Sequence, residues 1–150
     1  MIKVLFVCLG NICRSPMAEL MFKDMIKKKG LESKFLIESA GTSNEEEGNP
    51  VYPPAARKLA EFGISTSGKY ARKIIKADYE KYDYILAMEN SNLRNIEKIL
   101  GKDVDKKVFR LLDLSKNPRD IADPWYTGNF DITYSDIKEG LEAFINFLNI

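Results

Sequence analysis

The sequence predicts an α/β fold in which a four-stranded parallel sheet is flanked by helices on both faces. Four short apolar segments, at residues 4–7, 35–37, 84–87 and 108–111, have the length of buried strands. The first of them is solidly apolar rather than alternating, as is typical of a strand buried on both faces. Segments with helical spacing separate the strands, and this alternation is typical of a parallel, doubly wound sheet.

The predicted helices follow from apolar spacing and from residues that start or stop helices. Spacing is clearest over residues 17–26, where Ser15 and Pro16 are a good N-cap and first helical residue. Further helices are predicted at residues 55–62, 91–100 and 130–148, and residues 115–129 are expected to form a long loop. No linker or repeat interrupts this order, so residues 1–150 are expected to form a single domain.

Composition excludes several classes of function. The formal net charge of +1 gives no reason to expect a nucleic-acid or membrane partner. No apolar stretch is long enough for a signal sequence or a membrane span, so the expected location is the reducing cytoplasm. The chain has 2 cysteines and no histidine, which excludes Ser-His-Asp and Cys-His catalysis and most zinc sites.

The segment between the first strand and the first helix carries the strongest chemical pattern. A cysteine, Cys8, and an arginine, Arg14, are separated by five residues, with Gly10 between them. A tight turn before a helix points backbone N–H groups inward, and these form an anion nest that the helix dipole reinforces. Arg14 can grip two oxygens of a tetrahedral oxyanion with its planar guanidinium.

The same positive field should favour the thiolate of Cys8, which could then attack phosphorus. Ser15 can donate a hydrogen bond to that thiolate or help it to leave. The alternative interpretation is a buried structural cysteine followed by an ordinary helix start. The segment lacks the Gly-Lys-Ser/Thr ending of a nucleotide-binding phosphate loop, which disfavours an ATPase or a GTPase.

The segment from Cys8 to Ser15 and three later motifs resemble those of the low-molecular-weight protein tyrosine phosphatase family. The resemblance rests on VCLGNICRSPMAE at residues 7–19, SAGT at 39–42, LAMENSNL at 86–93 and DPWY at 123–126. It implies hydrolysis of phosphotyrosine through a cysteinyl-phosphate intermediate, without metal or other cofactor. The implied substrates are phosphotyrosine-containing proteins, and relatives are often monomers with weak self-association.

The resemblance also implies roles for individual residues. Cys8 would be the nucleophile, Arg14 the phosphate clamp and Asp123 the general acid and base. The phosphate-binding loop would consist of Leu9, Gly10, Asn11, Ile12, Cys13, Arg14 and Ser15. Within it, Asn11 would hold the strained loop shape. The substrate pocket would be lined by Ile12, Glu45, Trp125 and Tyr126, with Trp125 as an aromatic wall.

Two positions depart from the family pattern. Lys69 stands where relatives often have a histidine that supports the loop asparagine, so how Asn11 is held is an open question. Glu45, Glu46 and Glu47 replace a stretch that often contains an aromatic residue. These glutamates are either a solvated charge run or a selector of substrates with basic residues near the phosphotyrosine.

Cys13 also has two interpretations. It is either a small buried filler or a redox partner that forms a disulfide with Cys8 and shields it from irreversible oxidation, and we favour the second. Three rival functions each make a different demand on the sequence. A thioredoxin-coupled arsenate reductase needs further cysteines that are absent. A protein arginine phosphatase would favour threonine at Ile12, and a non-catalytic phosphotyrosine-binding module would be expected to lose Cys8, Arg14 or Asp123.

Overall fold

The structure, a computed structural model that describes all residues from 1 to 150, contains a four-stranded parallel sheet in the order β2-β1-β3-β4. The strands are β1 (Ile2–Cys8), β2 (Phe35–Gly41), β3 (Tyr84–Ala87) and β4 (Val108–Arg110). All four predicted strands are present, and the predicted fold class is confirmed. β2 is longer than expected because its polar residues Glu38 and Ser39 still pair with β1.

Helices cover both faces of the sheet. They are α1 (Arg14–Lys28), α2 (Pro53–Ala60), α3 (Ala77–Lys81), α4 (Asn90–Leu100), α5 (Pro124–Thr127) and α6 (Phe130–Leu148). The larger core cluster joins alternate β1 residues, among them Val4 and Phe6, to α1, α2 and α6. The smaller cluster joins the intervening residues Leu5 and Val7 to α3 and α4. Burial on both faces explains why β1 is solidly apolar.

The start of α1 differs from the sequence prediction. The helix begins at Arg14, with Cys13 as an N-cap residue that makes no side-chain capping bond. The prediction of Ser15 as the N-cap was therefore wrong. The Ser15 hydroxyl is instead in hydrogen-bond range of Cys8 and Asn11, so a tertiary contact replaced the local capping bond.

The predicted long loop at residues 115–129 is also more ordered than expected, because it contains α5. Asp123 is the N-cap of α5 and accepts a hydrogen bond from the Trp125 N–H. The loop is tied back to the sheet by Ile121, whose N–H donates to the Met88 carbonyl at 2.9 Å. Arg119 adds ion pairs from the loop to α6.

The chain order of the strands places the candidate site. The sheet runs outward from β1 in both directions, to β2 on one side and β3 on the other, and such switch points are where open α/β sheets bind ligands. Cys8 is the last residue of β1. Beside it, a Cβ added at Gly41 would lie 2.7 Å from the Leu9 carbonyl oxygen, so the close approach of β2 to this loop requires glycine. None of the helices combines the length and apolarity that crossing a bilayer would need.

Candidate active site

A pocket opens at the carboxyl end of the sheet, directly over Cys8. It is lined by Cys8, Leu9, Gly10, Asn11, Ile12, Cys13, Arg14, Ser43, Glu45, Glu46, Asp123, Trp125 and Tyr126. The structure thus brings together every predicted site residue except Ser15, which is fully buried. Ser43 and Glu46 are additional lining residues to which the sequence analysis gave no individual role.

Cys8 lies at the floor of the pocket with only 3% of its surface exposed. Its sulfur accepts a hydrogen bond from the Asn11 backbone N–H at 3.3 Å and lies 3.0 Å from the Ser15 hydroxyl oxygen. The Ser15 hydroxyl and the Asn11 N–H can both donate hydrogen bonds of the kind that a thiolate accepts. This arrangement can present a thiolate to a molecule that enters the pocket.

The loop above Cys8 offers unpaired backbone donors. The N–H groups of Gly10, Ile12 and Cys13 donate to no protein acceptor, and all three residues line the pocket. The first turn of α1 follows immediately and adds the positive end of a 15-residue helix. Together these groups form an anion-binding nest of the kind that binds phosphate.

Arg14 is almost fully buried, and three hydrogen bonds hold its guanidinium in place. Its Nη1 donates to Glu89 Oε2 at 2.7 Å and to the Ile121 carbonyl at 2.8 Å, and its Nη2 donates to Asp123 Oδ2 at 3.3 Å. Burial alone would lower the pKa of Arg14, but the negative charges of Cys8, Asp123 and Glu89 outweigh burial and raise it. A permanently charged guanidinium is therefore fixed beside the Cys8 sulfur.

Glu89 is a functional residue that the sequence analysis missed. It belongs to the LAMENSNL motif, but no role was assigned to it. A signal was available, because Glu89 follows β3 at the same carboxyl edge of the sheet where Cys8 ends β1. A carboxylate at that edge is well placed to hold a buried arginine.

Asp123 lines the pocket at the start of α5. Its Oδ1 accepts the Trp125 N–H at 3.0 Å, and its Oδ2 is the oxygen that contacts Arg14. The capping bond fixes the carboxyl group at the start of α5. Asp123 is therefore held in the pocket beside Arg14.

Asn11 holds the loop in an unusual backbone conformation. Its φ of 59° is in the left-handed region, which non-glycine residues seldom adopt. Its Oδ1 accepts the Arg72 backbone N–H at 3.0 Å, and its Nδ2 donates to Ser15 Oγ at 2.7 Å and to Ser39 Oγ at 3.0 Å. Lys69 does not contact Asn11 directly and ion-pairs with Glu19 at 2.8 Å instead. Ser39, Arg72 and Glu19 were given no role by the sequence analysis.

The pocket rim combines aromatic and acidic side chains. Trp125 and Tyr126 are 54% and 80% exposed, and the Trp125 ring packs against Tyr52 with centroids 4.8 Å apart. Glu45 and Glu46 also line the pocket. The Glu46 carboxylate accepts a hydrogen bond from the Asn49 side chain at 2.7 Å, which limits its freedom to move away.

Comparison with known proteins decides the family. The sequence profile described as "Low molecular weight phosphotyrosine protein phosphatase" matches residues 3–149. The chain belongs to this family. Members are named protein tyrosine phosphatases and are hydrolases.

Individual low-molecular-weight phosphatases resemble this family member over nearly its full length. The tyrosine phosphatase YfkJ of Bacillus subtilis is 43% identical over 147 residues, which cover 97% of this chain and 94% of YfkJ. The crystal structure of YfkJ superimposes with a TM-score of 0.94, covering 99% of this chain and 95% of YfkJ. A phosphatase of Schizosaccharomyces pombe is 42% identical over 131 residues, 85% of this chain and 83% of that protein. The Drosophila arginine phosphatase DARP is 30% identical with a TM-score of 0.91, covering 99% of each chain.

Within this phosphatase, Cys13 differs from Cys8 in its surroundings. Burial, followed by the nearby charge of Cys8, raises the pKa of Cys13 to about 12. Cys13 is therefore a neutral thiol at physiological pH and a poor nucleophile. Both cysteines are free thiols in the structure. The Cys8–Cys13 disulfide stays a prediction. Because the thiolate is the reactive form of Cys13, we expect this disulfide to form faster as the pH rises.

Proposed function

We propose that this chain acts as a single catalytic domain that hydrolyses phosphotyrosine in proteins, with Cys8 as the nucleophile. The observation that carries the proposal is the position of Cys8, whose sulfur accepts the Asn11 N–H and contacts the Ser15 hydroxyl at the floor of a pocket shared with Arg14 and Asp123. A reducing compartment keeps Cys8 as a free thiol, so the proposal includes a cytoplasmic location.

In the first step, the Cys8 thiolate attacks phosphorus and forms a sulfur–phosphorus bond while the bond from phosphorus to the phenolic oxygen breaks. The Asp123 carboxyl group gives its proton to the departing phenolate. In the second step, Asp123 takes a proton from water as the water oxygen attacks phosphorus. The sulfur–phosphorus bond then breaks, and Cys8 leaves as a thiolate stabilised by Ser15.

Arg14 has N–H donors left for a bound phosphoryl group. Its Nη2 contacts Asp123 at 3.3 Å, whereas its Nη1 is held by shorter bonds to Glu89 and Ile121. Of the five guanidinium N–H groups, the Nε–H and one Nη2 N–H donate to no protein acceptor, so they can grip a phosphoryl group while Nη1 keeps the guanidinium in place.

A protein arginine phosphatase is the second candidate, and similarity to DARP favours it. The acidic rim formed by Glu45 and Glu46 would also suit a guanidinium. Ile12 argues for the aryl phosphate, because it places an apolar side chain in the pocket wall where a flat ring can pack. We therefore rank phosphotyrosine first.

The two candidates are separated by a substrate panel. Release of phosphate is measured from p-nitrophenyl phosphate, a phosphotyrosine peptide and a phosphoarginine peptide of the same sequence. We expect both aryl phosphates to be hydrolysed much faster than phosphoarginine, with a phosphocysteine at Cys8 detected by mass spectrometry after rapid quenching. Preference for phosphoarginine, or phosphate attached elsewhere, would refute the proposal.

The acidic rim leads to a prediction about substrate charge. Arg14 is the only cationic residue that lines the pocket. Three carboxylates line it as well, those of Glu45, Glu46 and Asp123. We expect the double substitution Glu45→Gln/Glu46→Gln to lower kcat/KM about fivefold for peptides with lysines beside the phosphotyrosine, because rim ion pairs are weak individually. Peptides with acidic neighbours should gain, and added salt should reduce both effects.

Glu47 supplies the matched control, because it is exposed and does not line the pocket. Glu47→Gln removes one charge from the same acidic run, and we expect it to leave the preference between basic and acidic peptides unchanged. Equal changes for both kinds of peptide in the double variant would show that the glutamates are only a solvated charge run.

A further inference from the structure

We propose that Tyr52, which does not line the pocket, is a positioning residue that orders the indole ring of Trp125 for contact with the aryl ring of the substrate. The inference rests on the proposed function, because it concerns how the same pocket binds phosphotyrosine. The Tyr52 ring is the one aromatic ring that packs against Trp125. Their centroids are 4.8 Å apart, and the angle between the ring planes is 51°.

The Trp125 ring needs such a neighbour because little else holds it. Trp125 lies on α5, a helix of only 4 residues, and is 54% exposed. Its hydrogen bond to Asp123, at 3.0 Å, comes from the backbone N–H and not from the indole. The backbone of Trp125 is therefore fixed at the start of α5, whereas the orientation of its ring depends on packing. A ring that must first be ordered costs binding free energy when the substrate arrives.

Tyr52 is well suited to order another ring, because its own backbone is fixed. Its N–H donates to the Ile12 carbonyl at 2.9 Å, and its carbonyl accepts the Ala56 N–H at 3.0 Å. Pro53 follows and restricts Tyr52 to an extended conformation, which agrees with its ψ of 130°. The Tyr52 ring thus extends from a segment of the chain that has little freedom to move.

The Tyr52 ring also packs against Phe130, the first residue of α6, with centroids 6.2 Å apart. It therefore contacts both helices that follow Asp123, α5 through Trp125 and α6 through Phe130. Both contacts are made by the ring, and the Tyr52 hydroxyl forms no hydrogen bond within the protein. The ring is consequently the part of Tyr52 that positions Trp125.

This arrangement separates recognition of the aryl ring from recognition of the phosphoryl group. The phosphoryl group would be bound by backbone N–H groups and by Arg14, whose guanidinium is held by Glu89, Ile121 and Asp123. The Tyr52 ring contacts none of these side chains. Removing the ring should therefore weaken binding of aryl phosphates without weakening binding of phosphate itself.

The first test follows the Trp125 ring directly. Trp125 is the single tryptophan of the chain, so intrinsic fluorescence reports on this ring alone. In Tyr52→Ala we expect a larger fast component in the nanosecond anisotropy decay and stronger quenching by acrylamide, because the ring gains freedom and exposure. Tyr52→Phe keeps the aromatic ring and should match wild type in both measurements. Neither measurement needs turnover.

The second test is kinetic. In Tyr52→Ala we expect KM for a phosphotyrosine peptide to rise about fivefold, the effect of losing one aromatic pair. We expect kcat to change less, because the Trp125 backbone N–H still holds Asp123. The inhibition constant of inorganic phosphate should equal that of wild type, and Tyr52→Phe should restore KM.

Phe62→Ala is the matched control. Phe62 stacks on Tyr134 with centroids 4.1 Å apart, so this variant also loses an aromatic pair with α6, but neither ring lines the pocket. We expect it to leave KM and the Trp125 fluorescence unchanged. If Tyr52→Ala does not fold, Tyr52→Leu keeps an apolar side chain without the ring and should change both readouts in the same direction by less.

A double-mutant cycle shows whether Tyr52 acts through Trp125. Tyr52→Ala/Trp125→Ala should raise KM no further than Trp125→Ala alone, and a further rise would contradict the inference. So would wild-type anisotropy and KM in Tyr52→Ala, the same changes in Phe62→Ala, or a phosphate inhibition constant that rises as much as KM. Failure of the proposed function looks different: a protein that hydrolyses no phosphotyrosine, yet shows the Tyr52-dependent change in anisotropy, would keep the positioning role and lose the assigned reaction.

Discussion

Cys8→Ser is expected to lower phosphatase turnover by about four to six orders of magnitude, as is typical when a covalent nucleophile is removed. A serine hydroxyl ionises far less readily than a thiol, and the chain contains no histidine that could act as its general base. The groups next to this position are the Ser15 hydroxyl and the Asn11 backbone N–H, and neither can act as a general base. The variant should therefore lack both an ionised nucleophile and any means of forming one.

Phosphate binding should survive the same substitution. The nest of backbone N–H groups and the guanidinium of Arg14 are unchanged, and removing the thiolate removes a negative charge beside the bound anion. Titration calorimetry with inorganic phosphate measures this property separately from turnover. Residual activity within tenfold of wild type would contradict the assignment of Cys8, whereas loss of both activity and phosphate binding would indicate a damaged loop.

Asp123→Asn is expected to lower turnover by an amount that depends on the leaving group. General acid catalysis contributes about 10²–10⁴-fold, and a leaving group that departs readily without a proton needs little of it. Phenyl phosphate should therefore lose far more activity than p-nitrophenyl phosphate. The asparagine keeps an oxygen to accept the Trp125 N–H, so the start of α5 should be preserved.

The measurement is kcat across a series of aryl phosphates, which should depend more steeply on leaving-group acidity in Asp123→Asn than in wild type. Asp120→Asn is the matched control, because Asp120 lies in the same loop but contacts Asn90 and Arg110 outside the pocket. A uniform loss across the series would assign Asp123 to binding or folding rather than to proton transfer.

Much of the fold was predictable because its elements are marked locally. β1 and β3 are short runs of apolar residues, and the structure confirms β3 at Tyr84–Ala87 without a shift. The reactive loop was predictable for the same reason, because only five residues separate Cys8 from Arg14. Local patterns were less reliable where tertiary contacts compete with them. Ser15 was predicted as the N-cap of α1, but its hydroxyl contacts the Cys8 sulfur instead.

The amino-acid sequence by itself determined the α/β class, the family and the turn that carries Cys8 and Arg14, because each of these depends on residues close together in the chain. Only the tertiary structure decided which carboxylates hold Arg14 and how the loop is supported. Glu89 is 75 residues from Arg14, and Ser39 is 28 residues from Asn11. Such partners come into contact because parallel strands end at one edge of the sheet. The spacing of neighbouring residues in the sequence does not predict these long-range contacts.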